Sequence, residues 1–351
     1  EILEPFQQEY PVTGYQCAEN TPEGGLTAEF AYVANATDVD LMDVRGKIVL
    51  VNGFVRLPLF RKLMKAGVAG IVSMEGELRD KRDETDLSTK KLRRTLRAFG
   101  NVPMVHTRVA DAMDMVRKGA CKARIVLKGH TEEWTSHNVI ATVLGTERPE
   151  EIISFGAHYD SVEFSKGVYD NGAGSVINME VLRYFKENPP KRTLKFMWYG
   201  SEEIGLEGSW AYVKGHKEEL ENHLLMINVD VGGPVLGTDR IAATAEEKLA
   251  TYLEYFVKIH GFAAEVKQGI YSSDSIPFAD SGIPGVNFTR FGNQGAAYIH
   301  NRFDTLDFLS DEALAKTTRI VLAFAQEMAN AALLPVERKI PQNMVEEVEK
   351  Y

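Results

Sequence analysis

The 351-residue chain predicts an α/β fold built on a mostly parallel sheet flanked by helices, and three observations carry that prediction. The runs IISFGAH (152–158), TLKFMWYG (193–200) and LLMINVD (224–230) are short and rich in Ile, Phe, Val and Leu, as strands buried on both faces are. Each is followed by turn residues or a helical pattern, the alternation expected of a parallel sheet. Each also leads into polar side chains, and in open α/β sheets the ligand crevice lies outside the carboxyl ends of the strands.

Taken in order, residues 1–25 read as an irregular lead rich in Pro, Gly and Glu. A smaller α/β or β-rich domain follows over 26–135. In it RGKIVLVN (45–52) is a strand, FRKLMKAG (60–67) a helix, GIVSM (70–74) a strand, VPMVHTRVADAMDMVRKG (102–119) a strand then a helix, and RIVLKG (124–129) a closing strand. A second domain occupies 136–334. Its helix GAGSVINMEVLRYFKEN (172–188) carries Val176, Ile177, Leu182 and Phe185 on or near one face and stops at Pro189-Pro190. Further helices span 246–260 and 310–333, and SSDSIPFADSGIPGVNFTR (272–290) is a loop running into an inner strand. The polar tail 335–351 extends or docks on a neighbour. A chain of this length exceeds the usual single-core range, which agrees with two domains.

Charge narrows the partners. With a net charge of −10 and a pI near 5.4 the chain suits neither nucleic acid nor an anionic membrane. The basic stretch Lys81 to Arg97, with Lys90, Lys91, Arg93 and Arg94, is surrounded by acidic residues and reads as a solvated loop. Cys17 and Cys121 are far apart and lack metal-type spacing, so no disulfide framework is expected. No run of 18 apolar residues spans a membrane. The chain starts at Glu1 with no signal peptide, which slightly favours a cytoplasmic over a secreted location, although any targeting segment would have been lost with a processed start. Asn35-Ala-Thr37 and Asn287-Phe-Thr289 match the short glycosylation sequon. His106, His130 and His137 read as structural or surface residues.

The polar residues at the strand ends have a metal chemistry. Zinc takes imidazole nitrogen and carboxylate oxygen, and a catalytic zinc keeps a position open for water. Two zincs need a carboxylate between them and about two further ligands each. Two His and three carboxylates meet that count: Asp170 as the bridge, His158 and Asp230 on one ion, Glu203 and His300 on the other. Glu202 is then left over. Adjacent to Glu203 but pointing elsewhere, it is placed to act as general base towards a metal-activated water. Asp160, two residues beyond His158, suits a partner that fixes the imidazole tautomer. Singly, a strand-end His, an Asp-Asn-Gly turn or a Glu-Glu pair is ordinary; the conjunction is not.

The motifs GAHYDS, YDNGAG, WYGSEEIGLEGS, INVD and IHNRFDTLD resemble those of the dizinc exopeptidases of metallopeptidase family twenty-eight, in the family's order from about Asn138 to Ala332. That resemblance implies a zinc-dependent exopeptidase fold with a mixed sheet, the same ligand roles, two Zn2+ per chain bridged by Asp170 and a water or hydroxide, and a peptide substrate. In the family an Asp like Asp170 often precedes a cis peptide, here to Asn171. Relatives stabilise the oxyanion with a Tyr, for which Tyr298 is taken and Tyr271 is the other candidate, read as substrate-binding. Tyr169 and Val231-Gly-Gly depart from the family's commoner residues. The block 26–135 resembles the protease-associated domain that many relatives carry, which would flank the cleft and restrict substrate size. Relatives usually carry a helical segment before such an insert, and without it an apolar face would be left for a partner subunit, as in a homodimer.

Aminopeptidase activity is the preferred expectation, with Glu163 as a holder of the substrate amine. A glutamate-type carboxypeptidase or dipeptidase would need arginines for carboxylates, and Arg290 and Arg302 flank the last ligand. A single-zinc glutaminyl cyclase and a metal-free receptor-like homologue are the readings from other classes. A metal count separates both from a dizinc enzyme.

Overall fold

The structure is a computed structural model that describes residues 1–81, 84–92 and 94–349, so Arg93 of the basic stretch and Lys350 of the tail lie outside the described residues. Two compact units emerge, Glu1–Glu133 and Trp134–Tyr351.

The second unit is organised by a seven-stranded sheet. Its strands lie in the order Ala264–Gln268, Gly237–Thr244, Gly285–Gly292, His223–Val229, Arg148–His158, Arg192–Tyr199 and Val139–Val143. Four neighbouring pairs are parallel; the pairings of Gly237–Thr244 with Gly285–Gly292 and of Arg192–Tyr199 with Val139–Val143 are antiparallel. The predicted mixed, mostly parallel sheet is therefore present. Both faces are covered. Ile177, Val181 and Phe185 of the helix Ala173–Glu187, with Ile320, Val321 and Phe324 of Asp311–Asn330, pack on one face, where Phe155 stacks on Phe196 at 4.5 Å. Met197, Tyr199, Tyr212, Met226 and Phe278 fill the other. Burying each such side chain contributes roughly 1.5–3 kcal/mol, which is why these strands are mostly apolar on both faces rather than alternating. The long helix starts where Ser310 accepts the N–H of Ala313 at 3.1 Å and places Asp311 and Glu312 in its first turn.

Strand register sets the site. Gly156 stands opposite Asn228 in the parallel pair, so His158 and Asp230, each two residues further on, reach the sheet edge level with each other. His158 is also opposite Tyr199, which puts Glu202 and Glu203 just past the same edge.

Two expectations need correction. The lead 1–25 is not irregular: Ile2–Glu4 and Thr13–Gln16 are strands of the first unit's sheet, paired with Lys122–Ile125 and with Met104–Arg108. Strands of three or four residues carry too little pattern to read, and their partners lie about a hundred residues away. The tail is not merely polar either. Gln342–Val348 is helical, and Ile340, Met344 and Val348 are buried against Leu206, Ile276 and Ala279. The strand Gly237–Thr244 also escaped the sequence reading because Asp239 and Arg240 interrupt it.

The first unit has an eight-stranded sheet whose centre, Leu26–Tyr32, Ile48–Leu50, Gly70–Glu75 and Met104–Arg108, is parallel. The helices Leu57–Ala66 and Val109–Arg117 belong to the same unit. His106 is structural here, with Nδ1 3.2 Å from Ser73 Oγ and Nε2 2.7 Å from Glu75. Cys17 and Cys121 are exposed free thiols. Asn287 is buried in a strand of the second unit, so its sequon is not a surface site.

Candidate metal centre

Beyond the strand edges, five side chains converge into two groups, His158–Asp170–Asp230 and Asp170–Glu203–His300, with the potential ligand atoms of each group within 4.8 Å of one another. Asp170 belongs to both. Its Oδ1 lies 3.0 Å from His158 Nε2, and its Oδ2 lies 2.9 Å from His300 Nε2. Asp230 Oδ1 is 3.4 Å from His158 Nε2, and Glu203 Oε2 is 3.2 Å from His300 Nε2. Each oxygen of one carboxylate thus faces a different imidazole, and each imidazole has a second carboxylate.

The loops that hold these residues are unusual in backbone. Ser201, Leu206, Val231 and His300 all have positive φ, and the Asp170–Asn171 peptide is cis. Non-glycine residues in the left-handed region are uncommon, more so a β-branched Val, and they cluster where surrounding structure over-determines them. Two carboxylates hold the backbone beside these positions. Asp304 is fully buried and accepts the backbone N–H of Tyr169 at 2.7 Å and of Asp170 at 3.1 Å. Asp160 accepts the N–H of Glu202 at 3.0 Å and of Glu203 at 3.3 Å.

The role expected of Asp160 is therefore shared differently. Its carboxylate stands 3.6 Å from His158 Nδ1, whereas its backbone carbonyl is 3.1 Å away. A carbonyl oxygen only accepts, so Nδ1–H donates to it, which leaves Nε2 as the ring atom that faces Asp170 and Asp230.

Electrostatics agree with a cation site. Burial opposes charge on His158, yet Asp160, Asp170 and Asp230 raise its pKa well above the usual value; Asp170 and Glu203 likewise push His300 up to about 10 against burial. Burial works against Asp170 too, but the two imidazoles hold its carboxyl below the ordinary range. Asp230 Oδ1 and Glu203 Oε1 are buried without a hydrogen-bond partner. Orphaned carboxylate oxygens beside imidazoles that hold protons are what a divalent cation would satisfy, and the nitrogen and oxygen donor set suits zinc. Glu202 is not in either group. Burial pushes its pKa well above the usual value, with His158 opposing and Asp274 adding to the rise.

The other predicted residues separate. Tyr271 is partly buried, packs on Phe291 at 5.9 Å, and is raised well above the usual tyrosine range, by burial first and then by Asp230 and Asp170. Tyr298, taken from sequence as the oxyanion donor, is 46 % exposed with its ring against Phe303 and Phe308. Glu163 lies on the exposed loop before Asp170, outside both groups. Arg290, expected to meet substrate, is instead engaged inside the unit. It is buried, donating to Asp239 at 2.7 Å and to the carbonyls of Pro234 and Val235 at 2.9 and 3.3 Å. Sequence position beside the last ligand motif concealed this, because Asp239 sits on the strand that had not been recognised.

Sequence reading missed three supporting residues. Asp304 lies within IHNRFDTLD, where its spacing four after His300 was the available signal. Asp274 is fully buried directly before the helix Ser275–Asp280, which stands where a loop was expected, and burial pushes its carboxyl up to about 7. Asn171 read only as turn chemistry.

Comparison with known proteins now decides the family. The sequence profile described as "Peptidase family M28" matches residues 138–325, more than half of the chain and all five converging residues. The chain belongs to peptidase family M28. Among curated members, the probable aminopeptidase YDR415C of Saccharomyces cerevisiae is 31% identical over 57% of this chain and 59% of its own length. Aminopeptidase YwaD of Bacillus subtilis is 28% identical over 88% of this chain and 68% of its own, and human carboxypeptidase Q is 26% identical over 66% and 52%. The chain thus spans about half to two-thirds of the length of these relatives. Among solved structures, the zinc aminopeptidase BSAP from Bacillus subtilis shares the fold with a TM-score of 0.73 at 23% identity, covering 96% of this chain and 83% of that one. An aminopeptidase from Aneurinibacillus sp. strain AM-1 does so at 0.68 and 25%, covering 94% and 80%.

Proposed function

We propose that this M28 chain is a two-zinc aminopeptidase that removes N-terminal residues from peptides. The observation that carries the reading is Asp170, whose two oxygens face His158 and His300 separately. His158 and Asp230 would hold one ion, Glu203 and His300 the other, with Asp170 between them. Zinc bound there supplies Lewis acidity and a water of lowered pKa. Glu202, beside the groups but outside both, would be the residue that accepts a proton from the attacking water and passes it to the leaving amine. Asp160 fixes the backbone that presents Glu202 and Glu203 together. Tyr271, whose pKa burial raises first and Asp230 and Asp170 raise further, is preferred as the donor to a developing oxyanion over Tyr298, which is 46 % exposed.

A free-amine substrate is favoured over a carboxylate-ended one because the Arg290 guanidinium is committed to Asp239. The carboxypeptidase reading keeps support from the carboxypeptidase Q relatives alone. The test is metal content per chain alongside hydrolysis of aminoacyl, N-blocked and dipeptide substrates. Two zincs with cleavage confined to free-amine substrates support the proposal; one zinc or none without cleavage overturns it.

A further inference from the structure

Resting on the metal-centre reading above, we propose that Asn171 is a positioning residue that sets Asp170 and Asp230 relative to each other. The side chain is 1 % exposed, and its carboxamide makes three bonds, all to backbone. Nδ2 donates to Val229 O at 2.9 Å, and Oδ1 accepts from Val231 N–H at 3.1 Å and from Gly174 N–H at 2.9 Å. Val229 and Val231 flank Asp230. Their peptide groups meet a carboxamide much as they would meet a neighbouring strand, one donor and one acceptor side by side. From another direction, Asp230 N–H donates to Phe288 O at 3.1 Å and Arg290 N–H donates to Val231 O at 3.0 Å. Asp230 is therefore clamped between the strand Gly285–Gly292 and the residue next to Asp170.

Two further observations make this a built device rather than an incidental turn. Val231 has φ 62°, a conformation that a β-branched residue adopts only when held, and the bonds to Asn171 and Arg290 hold it. A Cβ at position 174 would lie 2.4 Å from Asn171 Oδ1 and 2.4 Å from Val229 O. Any side chain there would displace the carboxamide or the strand end, so Gly174 is the notch into which Asn171 fits. An ionised aspartate would lose the donor to Val229 and add a charge beside two carboxylates. Alanine leaves the Val229 carbonyl and the N–H groups of Gly174 and Val231 buried without that partner.

The test measures Mn2+ and Zn2+ affinity by titration calorimetry for wild type, Asn171→Ala and Gly174→Ala, with circular dichroism and thermal unfolding in chelator as the fold control. Every ion position uses Asp170, so both variants are expected to weaken the tightest ion by about 10–100-fold, the range seen when partners that orient metal ligands are removed. The Mn2+ electron paramagnetic resonance spectrum should also lose the exchange coupling of a paired site. Folded variants with wild-type affinity and coupling overturn the proposal, even if they melt earlier. If Asn171→Ala does not fold, Gly174→Ala carries the same test with the carboxamide itself unaltered. A wild type that binds a single ion would refute the two-zinc reading, and the change in that ion's affinity would still decide the role of Asn171.

Discussion

The carboxylate of Asp160 accepts the backbone N–H of Glu202 at 3.0 Å and leaves His158 to the carbonyl of the same residue. One side chain thereby governs how the proposed base is presented. Asp160→Ala should lower kcat by about 10–100-fold, since a small displacement of a positioned group costs that much, and should weaken metal binding as well, because the same carboxylate holds the backbone of Glu203. Glu202→Gln, which removes the base itself, should lower kcat by about 10²–10⁴-fold, with metal retained. Single-turnover kinetics and metal analysis check both; loss of metal in Glu202→Gln would mean that Glu202 and Glu203 have exchanged roles.

Tyr271 and Tyr298 are distinguishable by one methodical comparison. If Tyr271 donates to the oxyanion, Tyr271→Phe lowers kcat by about 10²-fold or more while KM changes little. Tyr298→Phe should leave kcat within about twofold, because its exposed ring lies against Phe303 and Phe308.

Arg290→Met tests whether this guanidinium serves structure or substrate. Removing one partner of a buried ion pair typically costs about 3–5 kcal/mol, and the lower end is expected because Lys316 and Thr317 remain on Asp239 at 3.4 and 2.6 Å. Denaturant unfolding should report that loss. The ratio of free-amine to carboxylate-ended substrate turnover should not move.

A pH effect arises away from the centre. His223 is fully buried, with Nδ1 2.5 Å from Ser154 Oγ, and burial lowers its pKa from the ordinary 6.5 to about 4. Between those values the unfolded chain binds a proton that the folded chain refuses. Stability is therefore fully present above pH 6.5 and falls as pH drops towards 4, by up to about 3 kcal/mol from this group. Comparing the unfolding free energy of wild type and His223→Gln from pH 7 to pH 4 should show a shallower decline in the variant.

Where a residue's chemistry is local, the chain alone disclosed it. The largely apolar runs ending at His158, Tyr199 and Asp230 announce doubly covered parallel strands, and a crevice at their carboxyl ends follows from that topology. The metal-type residues were legible for the same reason, as each stands at a strand end or in a motif. What only the tertiary structure decided were relationships across long separations: Asp239 claiming Arg290, Asp304 holding Tyr169 and Asp170, Asp160 turning to Glu202, Asn171 clasping the backbone around Asp230. A buried polar group must find a partner, but which partner depends on packing that brings residues tens to more than a hundred positions apart within 3 Å, and no periodicity along the chain encodes that distance.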